Sequence, residues 1–166
     1  DVTAIVNGWH GDTSRMFFIG DVSAKCKKLV SATYESMMKA ISIVKNGTSL
    51  GDVGETIQSY VEKEGFSVVR DFCGHGTGKT FHTPPNILHY GKKGEGSKIK
   101  SGMIFTIEPM INAGNYETKV LKDGWTAVTR DKSLSAQFEH TIGVTNDGFK
   151  IFTESKKNFN QPPYEL

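Results

Sequence analysis

Cysteine is scarce in this chain. Only Cys26 and Cys73 occur among 166 residues, so a disulfide framework is excluded and a reducing, cytoplasmic setting is expected. Charge of one sign is also lacking: the formal net charge is +2, which gives no bias towards nucleic acid or a membrane surface. No apolar run approaches the ~18 residues of a membrane span. Neither HExxH nor CxxC occurs, which removes the common zinc motifs. Gly78-Lys79-Thr80 resembles the end of a phosphate-binding loop, but Cys73 stands where the leading glycine is required. The dinucleotide fingerprint fails as well, because Lys79 replaces the third glycine after Gly74 and Gly76. The basic stretch Lys92, Lys93, Lys98 and Lys100 is broken by Glu95 and reads as a solvated loop. There is no tandem repeat and no low-complexity tract.

What the chain has is a hydrophobic fraction of 37% and 18 glycines, an ordinary globular composition for one domain. Asp1–Val6 and Trp9–Phe18 flank Asn7-Gly8, the strongest short hairpin signal. Asp21–Val44 reads as a helix with Leu29, Val30, Tyr34, Met37 and Ile41 near a 3.6-residue period, capped by Asp21 or Ser23. Ser49 caps a second helix that carries Val53, Ile57, Tyr60 and Val61 on one face and stops at Gly65. Strands are expected at Phe66–Phe72, Met103–Met110, Ser135–Thr145 and Phe149–Thr153, with Lys119–Leu121 pairing Trp125–Thr129. Gly74–Gly96 fits neither period and is expected to be irregular. Two strands, two helices and then mostly strands give an α+β fold. Residues 1–155 form the expected catalytic domain, and 156–166, with Pro162-Pro163, a loose tail. Asp1 opens strand-like sequence without an initiator Met, so the chain is expected to be a fragment that needs an upstream segment for solubility and activity.

The hairpin carries a geometric consequence. A two-residue Asn7-Gly8 loop sets Val6 opposite Trp9, and the same register sets Thr3 opposite Asp12. Asp1 lies two positions from Thr3, so Asp1 and Asp12 share a face as diagonal neighbours, roughly 7–8 Å apart. They suit a shared metal, or they are exposed strand-end acids. Alternation sets Thr106 and Glu108 on one face, opposite Phe105 and Ile107, and sets Gln137, Glu139 and Thr141 on one face, opposite Phe138 and Ile142. A buried carboxylate needs a cation. Structural ion pairs are the alternative, but neither strand has Lys or Arg beside its Glu. His75 and His82 sit in a Gly/Pro-rich segment, open to ligation or simply loop residues. Asp1, Asp12, Glu108 and Glu139 carry four negative charges, which two divalent cations neutralise and one does not. Oxygen donors with one imidazole suit Mn, Fe, Co or Zn. Two metals about 3.5–4 Å apart can share a hydroxide that attacks a carbonyl.

Five stretches carry a resemblance that covers nearly the whole chain to about Thr153: His10-Gly-Asp-Thr-Ser14, Cys73-Gly-His-Gly-Thr-Gly78 with Phe81-His82, Gly102–Met110, Asp123-Gly-Trp125 and Ser135–Ile142. Together they resemble the type I methionine aminopeptidases, of the pita-bread fold. The resemblance implies an antiparallel sheet with helices on one face, here without the family's N-terminal strands and helices and another histidine they supply. It implies two divalent metal ions, with Asp1 as the bidentate ligand of one, Asp12 and Glu139 as bridging carboxylates, and His75 and Glu108 on the other. His82 is implied to contact the substrate amide, and Glu108 to take the proton from the metal-bound water. Phe81 and Trp125 are implied to line the methionine pocket. Thr83-Pro84 after His82, where many members have an acid, is a peripheral departure. The spacing between Gly65 and Met110 leaves no room for the long insertion of type II enzymes.

The expected activity is removal of an N-terminal methionine that precedes a small residue in nascent chains, by a monomer in transient contact with the ribosome and with no membrane or specific nucleic-acid partner. Two other readings share the fold. An Xaa-Pro peptidase uses the same five ligand types but usually carries extra histidines around the site. A catalytically inactive binding module should have lost ligands, and all five are present.

Overall fold

A computed structural model describes residues 1–164. Strand β1 (Val2–Val6) turns at Asn7-Gly8 into β2 (Trp9–Ser14). Asn7 and Gly8 have φ of 51° and 80°, the pair of positive angles that a two-residue hairpin loop demands. The expected register holds, with Val6 opposite Trp9 and Thr3 opposite Asp12.

Helix α1 (Ala24–Ser42) begins later than Asp21 because Ser23 is the cap, its Oγ accepting from the Cys26 N–H at 3.2 Å. Helix α2 (Leu50–Lys63) begins where expected, and the Ser49 N–H donates to Asp52 Oδ2 at 3.0 Å, one half of a capping box. The two helices pack on each other, and Leu29, Met37 and Ile41 of α1 and Ile57 and Val61 of α2 are buried in the core.

Short strands follow: β3 (Ser67–Val68), β4 (Gly74–Gly76), β5 (Thr83–Ile87), β6 (Ile104–Ile107), β7 (Met110–Asn112), β8 (Thr118–Val120), β9 (Ala127–Thr129), β10 (Ser135–Gln137), β11 (Glu139–Val144) and β12 (Phe149–Ile151). A seven-stranded sheet runs β1-β2-β11-β6-β4-β5, with β12 also on β11; β10-β7-β3 form a second sheet and β8-β9 a third. Every pairing among them is antiparallel.

Five expectations are corrected. The segment Gly74–Gly96 is not irregular throughout, since it contains β4 and β5. Pro84 and Pro85 hid β5, and they are tolerated because β5 is the edge of its sheet. Met103–Met110 is two strands in different sheets, broken at Glu108-Pro109 where proline offers no N–H. Ser135–Thr145 is likewise divided at Phe138, whose ring is buried in the core edge-on to Tyr34 of α1. The C-terminal stretch is not loose over its described part. Arg15 Nε donates to the Phe159 carbonyl at 2.8 Å, and the Phe159 and Tyr164 rings pack around Phe17. Strand Phe66–Phe72 shortens to Ser67–Val68. No described helix is long and apolar enough to cross a membrane.

One glycine is needed to bring the strands together. A Cβ on Gly74 would lie 2.3 Å from the Thr106 carbonyl oxygen, so β4 can approach β6 only with hydrogen at that position. That contact delivers His75 to Asp12 of β2, Glu108 just after β6 and Glu139 of β11.

Candidate metal centre

The centre lies where β2, β11, β6 and β4 run side by side. Asp12 enters from β2, buried. Thr3, opposite it, donates from Oγ1 to Asp12 Oδ1 at 2.7 Å. The Asp12 N–H donates to Thr141 Oγ1 at 2.9 Å, and that hydroxyl donates back to the Asp12 carbonyl at 2.8 Å. A side chain thus completes the β2–β11 ladder where the paired backbone, Glu139 with Ser14 and His140 with Thr13, ends.

His75 enters from β4. Its backbone N–H donates to Thr106 Oγ1 at 3.0 Å, and its Nδ1 lies 3.1 Å from the Gly76 carbonyl. With the proton on Nδ1, Nε2 keeps its lone pair free for a cation. Nε2 stands 3.7 Å from Asp12 Oδ2 and 3.5 Å from Glu108 Oε1. Burial lowers the histidine's proton affinity, which suits a neutral ligand.

Glu108 follows β6. Thr106, two residues earlier on the same face, donates to its Oε1 at 2.7 Å, and Gln137 Nε2 is 3.4 Å from its Oε2. Burial, opposed by the Thr106 hydrogen bond and aided by the Asp12 charge, pushes Glu108 up to about 7. Glu139 opens β11 and is only 1% exposed. Burial first, then the Glu108 and Asp12 charges, push it up to about 9. Its Oε1 has no hydrogen-bond partner.

Ligand atoms of Asp12, His75 and Glu139 all lie within 4.8 Å of one another. Glu108 adjoins this triple through His75. Asp1 is exposed and stands outside the triple, but it lines the same open cleft of about 470 Å³, as do all five expected ligands together with Phe81 and His82. The His82 ring is 4.3 Å from that of His75, at 84° to it, and 3.9 Å from that of Phe81. Phe81 in turn stacks on His10 at 5.3 Å.

Trp125 is elsewhere. It is 89% exposed and lines a neighbouring hollow, not the cleft. Phe72 and Met110 line both cavities and form the wall between them. Sequence reading gave Phe72 and Met110 no task, because an apolar side chain carries no ionisable chemistry that a motif would flag; Cys73, in the same cleft, was part of a quoted motif but likewise had no assigned task. Thr3 and Thr141 were on the correct faces but had no assigned task, since a hydroxyl's partner is visible only once strands are paired.

The residues fit divalent cations. A fully buried carboxylate oxygen without a partner and three crowded carboxylates are costly alone, and oxygen donors with one imidazole are what Mn, Fe, Co or Zn take.

Residues 1–146 match the profile of metallopeptidase family M24. The chain is 62% identical over 165 residues to the methionine aminopeptidase of Rickettsia prowazekii (strain Madrid E), covering 99% of this chain and 64% of that one. It is 51% identical over 156 residues to the methionine aminopeptidase of Escherichia coli (strain K12), covering 94% of this chain and 59% of that one. A crystal structure of methionine aminopeptidase from Rickettsia prowazekii superposes with a TM-score of 0.92 at 62% identity, over 93% of this chain and 62% of that one. The chain therefore spans less than two thirds of the length of these relatives.

Proposed function

The chain belongs to metallopeptidase family M24, and from that premise we propose that its cleft serves the removal of an N-terminal methionine from peptides and nascent proteins. The observation that carries this reading is the joint placement of Asp12, His75 and Glu139 around one point, with Glu108 and Asp1 on the same cleft. Similarity to methionine aminopeptidases over 99% of the chain supports the choice of substrate.

Asp12 and Glu139 would lie between two cations, with His75 and Glu108 completing one side and Asp1 the other. Bound divalent cations supply Lewis acidity towards a carbonyl and lower the pKa of a ligated water. The chain's own groups do the rest. Glu108 is the group to take up a proton, at Oε2, where only the 3.4 Å contact with Gln137 restrains it. His82, exposed beside His75, would donate to a substrate carbonyl oxygen. Phe81, Phe72 and Met110 offer an apolar and sulfur-bearing wall suited to a thioether. Trp125 would join them only if the β8–β9 hairpin folded over the cleft.

The test is release of free methionine from Met-Ala-Ser by the protein at its natural length, with Mn or Co added, beside an Xaa-Pro peptide. Methionine release alone supports the proposal. Cleavage of only the Xaa-Pro peptide points to a proline-specific enzyme, and metal binding with neither cleavage to a binding module.

A further inference from the structure

We infer that His89 is a positioning residue for Glu108: its imidazole Nε2 accepts the Glu108 backbone N–H and so fixes how the Glu108 carboxylate enters the cleft. The inference rests on the reading that Glu108 serves the metal centre.

His89 is only 2% exposed and lies just beyond edge strand β5, away from the cleft lining. Its Nε2 is 3.1 Å from the Glu108 nitrogen. The N–H it accepts is one that the sheet leaves without a strand partner. On the β4 side of β6, the Ile104 carbonyl accepts from Thr77 and the Thr106 carbonyl is closely approached by Gly74. Glu108 is next in that alternation, but β4 begins at Gly74 and has no further rung to offer. On the other side, the pairing with β11 ends at Ile107 opposite His140. Pro109 follows, and the chain leaves for the second sheet. A side-chain nitrogen therefore takes the place of a strand carbonyl.

The placement has no simpler purpose. An apolar side chain would be cheaper to bury at this position than a neutral imidazole. The imidazole's contribution is an acceptor, which an apolar residue cannot supply. Thr106 holds the Glu108 carboxylate at Oε1 and His89 holds its backbone, so the residue is gripped at both ends. A rotation of the Glu108 peptide would swing Oε1 away from His75 Nε2, now 3.5 Å distant. Support of this kind around metal ligands is typically worth 10–100-fold in affinity.

Two variants and one spectrum test it. His89→Leu removes the acceptor, and His89→Gln returns one at a similar reach. Calorimetric titration with Mn should show His89→Leu binding metal roughly 10–100-fold more weakly, with His89→Gln recovering most of the loss. With Met-Ala-Ser, His89→Leu should lower kcat and leave KM little changed. Nitrogen NMR of the metal-free native protein should show a neutral ring protonated on Nδ1, with coupling across the hydrogen bond from Nε2 to the Glu108 amide. That signature stands even if a variant fails to fold. Absence of the coupling, or native metal affinity in a folded His89→Leu, overturns the inference. A native protein that binds metal and shows the coupling but never cleaves Met-Ala-Ser overturns the proposed function and leaves the role of His89 intact.

Discussion

Thr3 and Asp12 face one another across the β1–β2 hairpin, and the Thr3 hydroxyl donates to Asp12 Oδ1 at 2.7 Å. The bond leaves Oδ2 directed to the His75 side of the centre, 3.7 Å from Nε2. Thr3→Val keeps the β-branched shape and deletes the donor. It should weaken Mn binding about 10-fold with little change in Tm, measured by calorimetric titration and thermal unfolding. Unchanged affinity would show that the strand alone orients Asp12.

Asp12→Asn and Glu139→Gln each remove a negative charge from the buried triple. Each should abolish methionine release singly, because the second cation then meets one charge too few. Retention of more than about a tenth of native activity, a difference of ~1.4 kcal/mol, would remove that residue from the bridging role.

Metal-free stability should depend on pH in a specific direction. Glu108 and Glu139 are raised from an ordinary 4.5 to about 7 and about 9. The folded state thus holds protons that the unfolded state releases, and this contribution is lost as pH rises towards and through those values. Buried His89 and His140 are lowered from 6.5 to about 3 and about 4, so stability also falls as acid protonates the unfolded chain below 6.5. Tm of the metal-free protein should therefore peak between about pH 4.5 and 6.5 and decline towards pH 9. Glu139→Gln should flatten the alkaline decline, and added Mn should reverse it. A Tm that rises steadily to pH 9 without metal would contradict the buried carboxylates.

Chelation should silence hydrolysis and added divalent metal should restore it. Affinity should fall with acid, because protons on Glu108 and Glu139 compete for the same oxygens. Activity surviving exhaustive chelation would require another catalytic apparatus.

His82→Ala should lower kcat by roughly 10²–10³ while metal stoichiometry is kept, since a single donor to a developing oxyanion is worth about that much. Loss of a metal equivalent by elemental analysis would instead make His82 a ligand.

The hairpin, both helices and the facing of Thr106 with Glu108 and of Gln137, Glu139 and Thr141 were legible in the chain itself. Asn7-Gly8 fixes a local turn, and periods of two and near 3.6 need only neighbours in sequence. The residue types Asp, Glu and His in those patterns already indicated a cation site. The breaks at Glu108-Pro109 and Phe138 were not legible, because a strand's change of sheet depends on partners far along the chain. Strand β5 was hidden because two prolines are compatible with strand only at an edge, and edges exist only after assembly. The same reason governs the site: alternation assigns a carboxylate to a face, but the proximity of Asp12, His75 and Glu139 arises only when β2, β4 and β11 pack into one sheet. Packing also decided what no local pattern carries, namely that Trp125 stands in solvent away from the cleft and that buried His89 reaches the Glu108 amide.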